Sequence, residues 1–207
     1  MMCAPKNPVV LAVTGGIACG KSEVGRILNT MGFAVCDADR VAHDLMKKGT
    51  PVYQQVVEFF GTHILSDDEE ISRPILGKDV FENLEKRETL NRLLHPVVQE
   101  YLKHWIADVR LKNQRAAVLV PLLFESKMES LEWDAIICVS SSEQQVFQRL
   151  EKRGFGRKEA GLRIDSQMPL EEKEARSDYV IRNIGSLAEL EESTRETVLR
   201  IMTEEVL

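Results

Sequence analysis

The fold is decided by one stretch of the sequence, Gly15-Gly16-Ile17-Ala18-Cys19-Gly20-Lys21-Ser22. It satisfies the pattern G-x-x-x-x-G-K-[ST], in which glycines let backbone N–H groups converge on phosphate oxygens. The run Pro8–Thr14 before it is rich in β-branched residues without alternation, which is typical of a strand buried on both faces. A helical pattern begins at Lys21, so the positive end of a helix dipole adds to the loop. Strand, loop and helix in this order predict a nucleoside triphosphate site.

The side chains of the loop have separate tasks in this interpretation. Lys21 is placed to reach the β- and γ-phosphates, and the Ser22 hydroxyl is placed to hold Mg²⁺. The candidate nucleotide-binding residues are therefore Gly16, Ile17, Ala18, Cys19, Gly20, Lys21 and Ser22.

The composition of the 207-residue chain is typical of one globular domain, or of one domain with insertions. Lys and Arg total 27 against 33 for Asp and Glu, and the net charge of −6 argues against nucleic-acid binding over the whole surface. The longest apolar run, Ala116–Phe124, is too short to span a bilayer. The cysteines form no C-x-x-C pair, which argues against a zinc site or a disulfide framework; they are Cys3, Cys19, Cys36 and Cys138. We expect a cytoplasmic monomer or weak homo-oligomer, without a secretory signal and without a membrane or nucleic-acid partner.

Further strand patterns follow the loop at Phe33–Cys36, Ala116–Leu122, Trp133–Val139 and, weakly, Val180–Ile181. Strands that alternate with helices predict an α/β fold with a parallel five-stranded sheet flanked by helices. The block 41–112 is almost wholly helical and too long for a simple crossover, so we expect an insertion with its own task.

Helix signals divide the rest of the chain. Thr50–Pro51 predicts an N-cap followed by proline at the first helical position, and Glu85–Trp105 predicts a long helix that contains Pro96. Two capping boxes are expected, one at Ser140 with Glu143 and the other at Ser186 with Glu189.

Signatures of other nucleotide-binding classes are missing from the sequence. It contains no D-x-x-G or N-K-x-D, as a GTPase switch would, and the fourth strand ends in serines rather than in the acidic residues of a motor ATPase. The acidic residues that end a strand are Asp37 and Asp39, after the second strand. Beside a phosphate loop, such a carboxylate can accept a hydroxyl proton or help to hold Mg²⁺, and turn formation with helix capping is the alternative.

Motifs along nearly the whole chain resemble the dephospho-CoA kinase family. They are T-G-G-I-x-x-G-K-S at 14–22, D-A-D-R-V-A-H at 37–43, L-H-P at 94–96, V-P-L-L-F-E at 120–125, R-I-x-x-Q at 163–167 and D-Y-V-I-x-N-x-G at 178–185. The resemblance implies phosphorylation of the ribose 3′-hydroxyl of dephospho-CoA by ATP with Mg²⁺, the last step of coenzyme A synthesis. It also implies a nucleotide-binding core (1–40, 113–145 and 178–207), a helical acceptor domain (41–112) and a mobile lid (146–177).

The same resemblance assigns roles outside the loop. It makes Asp39, the second aspartate of D-A-D, the catalytic base, with Asp37 as a second candidate ligand of Mg²⁺. It places Arg73 at the acceptor's phosphates and His95 on the wall of the acceptor site; a surface salt bridge and a buried helix-breaking histidine are the alternatives. Pro121 and Leu122 line the acceptor pocket or pack in the core. Asn183 and Gly185 belong to the loop at the adenine edge or form a simple turn.

Residues 149–163 form a basic segment in an acidic chain, with glycines as pivots at Gly154, Gly156 and Gly161. Closure of such a segment over ATP would neutralise charge on the transferring phosphoryl group and exclude water. By the resemblance, Arg149 and Arg153 are catalytic and Arg163 contacts the substrate. For Lys152, Arg157 and Lys158 we favour a solvated helix face.

The loop departs from the family's usual G-G-I-G-S-G-K-S at Ala18 and Cys19. Alanine tolerates most loop geometries except a positive φ, so the loop has room for a modest readjustment, and no loss of activity is expected. Cys19 lies among loop N–H groups before a helix N-terminus, which predicts a lowered thiol pKa and the fastest alkylation of the four cysteines.

Two other functions remain open at this point. One is a kinase for another small metabolite or a nucleoside monophosphate, which the long block after D-A-D argues against. The other is a nucleotide-binding regulator without phosphoryl transfer, which the lid-like segment argues against.

Overall fold

The computed structural model describes residues 8–204. Their strands are β1 (Val10–Gly15), β2 (Ala34–Asp37), β3 (Ala116–Leu119), β4 (Ala135–Ser140) and β5 (Tyr179–Arg182). The strands form a five-stranded sheet in the order β2-β3-β1-β4-β5, and every neighbouring pair is parallel. The predicted parallel sheet is thereby confirmed, with β1 at its centre.

Helices connect and flank the strands. They are α1 (Lys21–Thr30), α2 (Ala38–Leu45), α3 (Pro51–Phe60), α4 (Arg73–Glu82), α5 (Leu84–Leu111), α6 (Glu143–Lys152), α7 (Arg157–Asp165), α8 (Leu170–Ala175) and α9 (Leu187–Glu204). Single turns of 3₁₀-helix lie at Thr62–Ile64 and Met128–Ser130. No helix in the described range 8–204 is long and apolar enough to cross a membrane.

The central strand is wholly buried, as its unbroken apolar run predicts. Its register is Leu11 opposite Ala117 on one side and Ala135 on the other. Helix α1 packs closely on this sheet because Gly25 has no side chain, and a Cβ there would lie 2.8 Å from Cδ1 of Leu119. This close packing brings the first turn of α1 to the carboxyl edge of the sheet, where β1 ends in the phosphate loop.

Aspartates fix the opposite, amino edge of the sheet. The Val10 N–H donates to Oδ2 of Asp134 over 2.6 Å, and the Ile136 N–H donates to Oδ2 of Asp178 over 2.7 Å. Arg110 pairs with Asp134 over 3.1 Å. Each carboxylate thus satisfies an N–H within the first two residues of a parallel strand, which would be costly to leave unpaired.

The described chain divides into two compact units. One contains the residues up to Asp37 together with those from Trp105 onward, and the other is Ala38–His104. The predicted helical acceptor domain was 41–112, and helix α5 continues to Leu111 in the first unit. The predicted lid, 146–177, lies within the first unit. The ends of the predicted core (residues 1–7 and 205–207) and Cys3 lie outside the described residues.

The second unit has an apolar core of its own, built from Val52, Val56, Phe60, Ile64, Ile71, Leu76 and Leu94. Its first long helix, α3, begins as predicted. The Thr50 hydroxyl accepts from the Tyr53 N–H over 3.1 Å, and Pro51 occupies the first helical position.

Two predicted boundaries are wrong. Strand β3 ends at Leu119 rather than Leu122, so Pro121 and Leu122 lie in the turn that follows it. Ser140 belongs to β4, and the residue that caps α6 is Ser142, whose hydroxyl accepts from the Gln145 N–H. The apolar pattern of β3 runs beyond its strand pairing, whereas Ser140 still pairs with Arg182 of β5 and therefore belongs to the strand instead of capping the helix.

Two other helix predictions are confirmed. Helix α5 spans the predicted Glu85–Trp105 and contains Pro96. Ser186 and Glu189 form the predicted capping box, because the Ser186 hydroxyl accepts from the Glu189 N–H and the Glu189 carboxylate accepts from the Ser186 N–H.

Candidate nucleotide-binding site

The phosphate loop joins β1 to α1 with three residues at positive φ. Gly15 has φ 138°, Ala18 has φ 56° and Gly20 has φ 109°. A side chain at Gly15 would collide with the Val139 carbonyl oxygen, 2.0 Å from the Cβ position, and one at Gly20 would lie 2.3 Å from Nδ2 of Asn183. Both glycines are therefore required by the fold as well as by their backbone angles.

Ala18 is one of the two positions at which the loop departs from the family's usual sequence. Its φ of 56° is in the left-handed region, where an alanine costs about 1–2 kcal/mol relative to the right-handed region. The loop thus keeps a geometry suited to glycine and carries the strain of a methyl group. Ala18 adopts the positive φ instead of a readjusted geometry.

Arg149 and Asn183 hold the loop from outside. Asn183 Nδ2 donates to the Cys19 carbonyl over 2.8 Å, and Arg149 Nη1 donates to the carbonyls of Ala18 and Cys19 over 3.1 and 3.4 Å. The carbonyl and the following N–H of a trans peptide point in opposite directions. With the Cys19 carbonyl drawn towards Asn183, the Gly20 N–H faces the other side of the loop.

The two holding residues are themselves connected. The Asn183 carbonyl accepts from Arg149 Nη2 over 3.2 Å and from the Ser141 hydroxyl over 2.7 Å, and Arg149 Nη1 also reaches that hydroxyl over 3.2 Å. Asn183 is 8% exposed, so these bonds lie away from solvent. The sequence analysis missed Ser141, whose only signal was its position directly after β4.

Lys21 lies across the beginning of the loop. Its Nζ donates to the carbonyls of Gly15 and Gly16 over 2.9 and 2.8 Å. The ammonium is therefore within the loop, beside the first N–H groups of α1, which have no carbonyl partner in their own helix. A positive charge and a helix N-terminus meet here, which is an arrangement that binds anions.

Cys19 does not have the properties that the sequence predicted. Burial raises the pKa of its thiol, and the nearby charges of Lys21 and Arg149 only partly oppose that rise. The residue is 1% exposed. The predicted low pKa is wrong because burial outweighs both these charges and the hydrogen bonds between the thiol and the backbone of Gly16 and Ser141.

Oxygen ligands suited to Mg²⁺ lie at the same edge of the sheet. Ser22 is exposed in the first turn of α1, and Asp37 is the half-buried last residue of β2. Within residues 8–204 no cluster of three or more His, Cys, Asp and Glu side chains is placed to hold a metal ion. Mg²⁺ commonly takes one or two protein oxygens with waters and phosphates, so a hydroxyl and a carboxylate fit such an ion.

A cavity of about 340 Å³ opens in the second unit, and another of about 460 Å³ adjoins the phosphate loop. The larger one is bounded by Gly16 and Ile17 of the loop, by Glu143 at the start of α6 and by Gln167 and Met168 before α8. Its volume is in the range of small-molecule sites, and polar and apolar side chains both line it.

The three arginines predicted for the lid occupy different environments. Arg149 binds the loop's backbone, as described above. Arg153 is the exposed residue that ends α6, directly before Gly154, whose φ is 89°. Arg163 pairs with Glu159 over 2.9 Å and lies 4.2 Å above the Phe155 ring.

The acceptor-side candidates of the second unit include one contact that the sequence did not predict. Arg73 Nε donates to Nδ1 of His43 over 2.9 Å. Burial and the Arg73 charge lower the pKa of His43, so the ring is neutral at lower pH than usual. Both side chains line the 340 Å³ cavity together with Met46 and Leu76. The sequence signal for His43 was its place at the end of D-A-D-R-V-A-H.

The remaining candidates lie on several elements. Asp39 is exposed in the first turn of α2, directly after β2, and His95 is half-buried within α5. Gly185 lies in the turn before α9, where a Cβ would meet the Glu189 carboxylate at 2.3 Å. Gly185 thus leaves room for the capping box.

Comparison with known proteins gives one consistent family. A family model described as dephospho-CoA kinase matches residues 9–189. A dephospho-CoA kinase of Carboxydothermus hydrogenoformans is 45% identical over 194 residues, which cover 93% of this chain and 92% of that protein. One of Bacillus cereus is 44% identical over 183 residues, which cover 87% of this chain and 91% of the relative.

Solved structures agree. A Thermus thermophilus crystal structure matches with a TM-score of 0.75 at 28% identity and covers 94% of this chain and 98% of its own. Dephospho-CoA kinase from Campylobacter jejuni matches with a TM-score of 0.69 at 27% identity, and the match covers 95% of this chain and 98% of that one. Shikimate kinase from Acinetobacter baumannii matches with a TM-score of 0.58 at 11% identity over 98% of this chain and 97% of that one, and it shares the fold alone.

Proposed function

Because the chain belongs to the dephospho-CoA kinase family, we propose that it transfers the terminal phosphoryl group of ATP to the ribose 3′-hydroxyl of dephospho-CoA. The observation that carries the proposal is the phosphate loop, which Asn183 and Arg149 hold by its carbonyls while Lys21 lies across it. A loop ordered in advance loses little conformational freedom when a triphosphate binds.

In this proposal the loop and α1 bind the triphosphate. Lys21 exchanges its loop carbonyls for β- and γ-phosphate oxygens, and the Gly20 N–H with the first N–H groups of α1 supplies neutral donors. Ser22, with Asp37 as a second oxygen ligand, holds Mg²⁺, which supplies charge neutralisation at the phosphates. Asn183 and Gly185 lie in the turn that follows β5 and border the adenine.

Asp39 is the base for the acceptor. Its carboxylate orients the 3′-hydroxyl and takes its proton as the new O–P bond forms and the bond from the γ-phosphorus to the β,γ-bridging oxygen breaks, which leaves ADP. Arg73, His95, Pro121 and Leu122 are the other acceptor-binding residues of this proposal. The Arg73–His43 pair supports this assignment, since the contact fixes the guanidinium at the rim of the 340 Å³ cavity.

The lid arginines complete the charge balance. Arg153, at the pivot formed by Gly154, reaches the transferring phosphoryl group when the segment closes, and Arg163 contacts the substrate from α7. Arg149 remains with the loop. We further propose a cytoplasmic monomer or weak homo-oligomer.

The test is the formation of coenzyme A from dephospho-CoA and MgATP, followed by mass detection. Nucleoside monophosphates and shikimate are offered as competing acceptors, and product from one of these instead of dephospho-CoA would replace the proposed acceptor.

A matched pair of variants tests the base. We expect Asp39→Asn to lower turnover by ~10²-fold or more with MgATP affinity nearly unchanged, because a general base contributes mainly in the transition state. Asp37→Asn is the comparison variant, and because Asp37 is the proposed second ligand of Mg²⁺, it should weaken MgATP binding as well as turnover. If Asp37→Asn abolishes turnover while Asp39→Asn keeps more than about a tenth of it, the two aspartates have exchanged roles.

A further inference from the structure

A fully buried lysine lies on α8, outside every site described above. Lys173 is 0% exposed, and its Nζ donates to the Glu125 carboxylate and to the Pro121 carbonyl, each over 2.8 Å. An ammonium in the interior is costly unless it is paired and hydrogen-bonded. Two partners from one short segment, 121–125, therefore define the position of this side chain.

Glu125 links the same lysine to the end of the predicted lid. Its Oε1 accepts from Lys173 and also from the Met168 N–H, over 3.0 Å. Its Oε2 is buried and has no hydrogen-bond partner within residues 8–204. The carboxylate charge is therefore balanced by Lys173, and the pair connects residues 121–125 to the chain just before α8.

The sheet no longer holds the segment after β3. The last backbone bond from the sheet runs from the Val120 N–H to the Val13 carbonyl, over 2.9 Å. Pro121 has no N–H, and its carbonyl receives the Thr14 hydroxyl at 3.5 Å, a long contact, and Lys173 at 2.8 Å. The turn also bonds within itself, since the Leu122 carbonyl accepts from the Ser126 hydroxyl over 2.6 Å, but at the Pro121 carbonyl Lys173 is the closer of these two donors.

Further contacts join α8 to the same region. Arg176 pairs with Glu129 over 2.8 Å and lies 4.3 Å above the Phe124 ring. On its other side, α8 places Leu170 against the phosphate loop, with Cδ1 at 3.5 Å from the Cβ position of Gly16. The helix thus stands between the loop and the turn that carries Pro121 and Leu122.

We infer that Lys173 is a positioning residue for the acceptor: it holds the Pro121 carbonyl, and with it Leu122, in the place where dephospho-CoA binds. The inference rests on the proposed function, because Pro121 and Leu122 line the acceptor pocket only in that proposal. An apolar pair of similar shape would serve stability equally well, since buried ion pairs often give no net stabilisation. What the ammonium adds is a directed bond to one carbonyl oxygen.

The test separates geometry from stability with three variants: Lys173→Met, the charge-neutral double variant Lys173→Met with Glu125→Gln, and Arg110→Met as a control. Arg110→Met breaks the ion pair with Asp134 at the opposite edge of the sheet. Thermal unfolding, MgATP affinity, and kcat and KM for dephospho-CoA are measured for each, well below the melting temperature of each variant.

We expect Lys173→Met to lower both the melting temperature and kcat/KM for dephospho-CoA, the latter by ~10-fold or more, with MgATP affinity within about threefold of wild type. The double variant should regain stability because no uncompensated charge remains, but kcat/KM should stay low because Pro121 is still not held. Arg110→Met should lower the melting temperature without changing kcat/KM for dephospho-CoA.

Recovery of kcat/KM together with stability in the double variant would overturn the inference, as would a folded Lys173→Met with kcat/KM within about threefold of wild type. If Lys173→Met does not fold, the double variant alone decides by the same criterion. If the wild-type chain makes no coenzyme A, the proposed function fails. If the wild-type chain makes coenzyme A and the double variant has the same kcat/KM for dephospho-CoA, only the role of Lys173 fails.

Discussion

The phosphate loop at residues 15–22 and the part of the basic segment that follows Arg149 both carry positive charge, but they are held in different ways. The loop's carbonyls accept hydrogen bonds from Arg149, Asn183 and Lys21. That part of the segment contains Gly154 at φ 89°, and its Arg163 contacts Glu159 and Phe155.

This difference indicates which region is ordered before the nucleotide binds. Buried hydrogen bonds to backbone keep the loop in one geometry, whereas ion pairs on an exposed helix exchange readily with water. We therefore expect the loop to set nucleotide affinity and the segment to act in the reacting state.

Lys21→Ala should lower phosphoryl transfer by at least ~10²-fold, because it removes a charge from the β- and γ-phosphates. The melting temperature should change little, since the side chain is not part of the apolar core. Lys152→Ala, in the last turn of α6, is the matched control and should keep near-normal rates. A folded Lys21→Ala with wild-type turnover would end the assignment of the phosphate loop.

Arg149 and Arg153 lie four residues apart, but their replacement by alanine should change different kinetic quantities. Arg153→Ala should lower kcat by ~30- to 10³-fold with little change in MgATP affinity, because it meets charge only in the closed state. Arg149→Ala should weaken MgATP binding by ~10-fold, because the carbonyls of Ala18 and Cys19 lose a donor. Steady-state kinetics with direct measurement of MgATP binding distinguishes them. Equal losses of affinity in both variants would contradict the contrast between loop and segment.

Ala18→Gly should stabilise the protein slightly, by ~0.5 kcal/mol, because relief of ~1–2 kcal/mol of left-handed strain exceeds the loss of one buried methyl group, ~0.8 kcal/mol. Lys127 provides the control, since it is exposed and has φ 57°. Lys127→Gly should gain about 1 kcal/mol with unchanged activity. Denaturant unfolding measures both, and a clear loss of stability in Ala18→Gly would show that the methyl group outweighs the strain.

The smallest effect concerns the cysteines. Burial raises the pKa of Cys36 to about 11 and that of Cys138 to about 12, and it raises that of Cys19 as well. Thiolate therefore forms only at high pH, so alkylation of these residues should be slow at about pH 8. The alkylation rate should rise steeply as the pH approaches the raised pKa of each thiol. Peptide mapping measures it, with the denatured chain as the reference. Rapid labelling of Cys19 in the folded protein at about pH 8 would restore the interpretation made from the sequence.

The raised thiol pKa values also set the sign of a stability change. A group whose pKa is higher in the folded state stabilises it fully below the unfolded value, 9.0 here, and loses that contribution as pH rises through the folded value. Stability should therefore decline from about pH 9 upward, and less so in a variant with Cys138→Ala. A flat profile over that range would contradict the burial of these thiols.

The sequence by itself determined the class of fold and the place of the phosphate loop. Glycines at fixed spacing, a lysine and a hydroxyl after an unbroken apolar run leave few alternatives, because each position has a steric or chemical requirement that only a few residues meet. The capping signals at Thr50 and Ser186 were equally local, and both are seen in the structure. Such features depend on residues within a few positions of one another.

Tertiary structure alone decided what surrounds that loop. Cys19 is buried, which raises the pKa of its thiol, and Arg149 binds the carbonyls of Ala18 and Cys19, more than a hundred residues away in the chain. Lys173 gave no signal in the sequence beyond its place in a charged helix, yet it is fully buried against Glu125. Burial and pairing over long distances determine pKa values and side-chain roles, and neither follows from spacing along the chain.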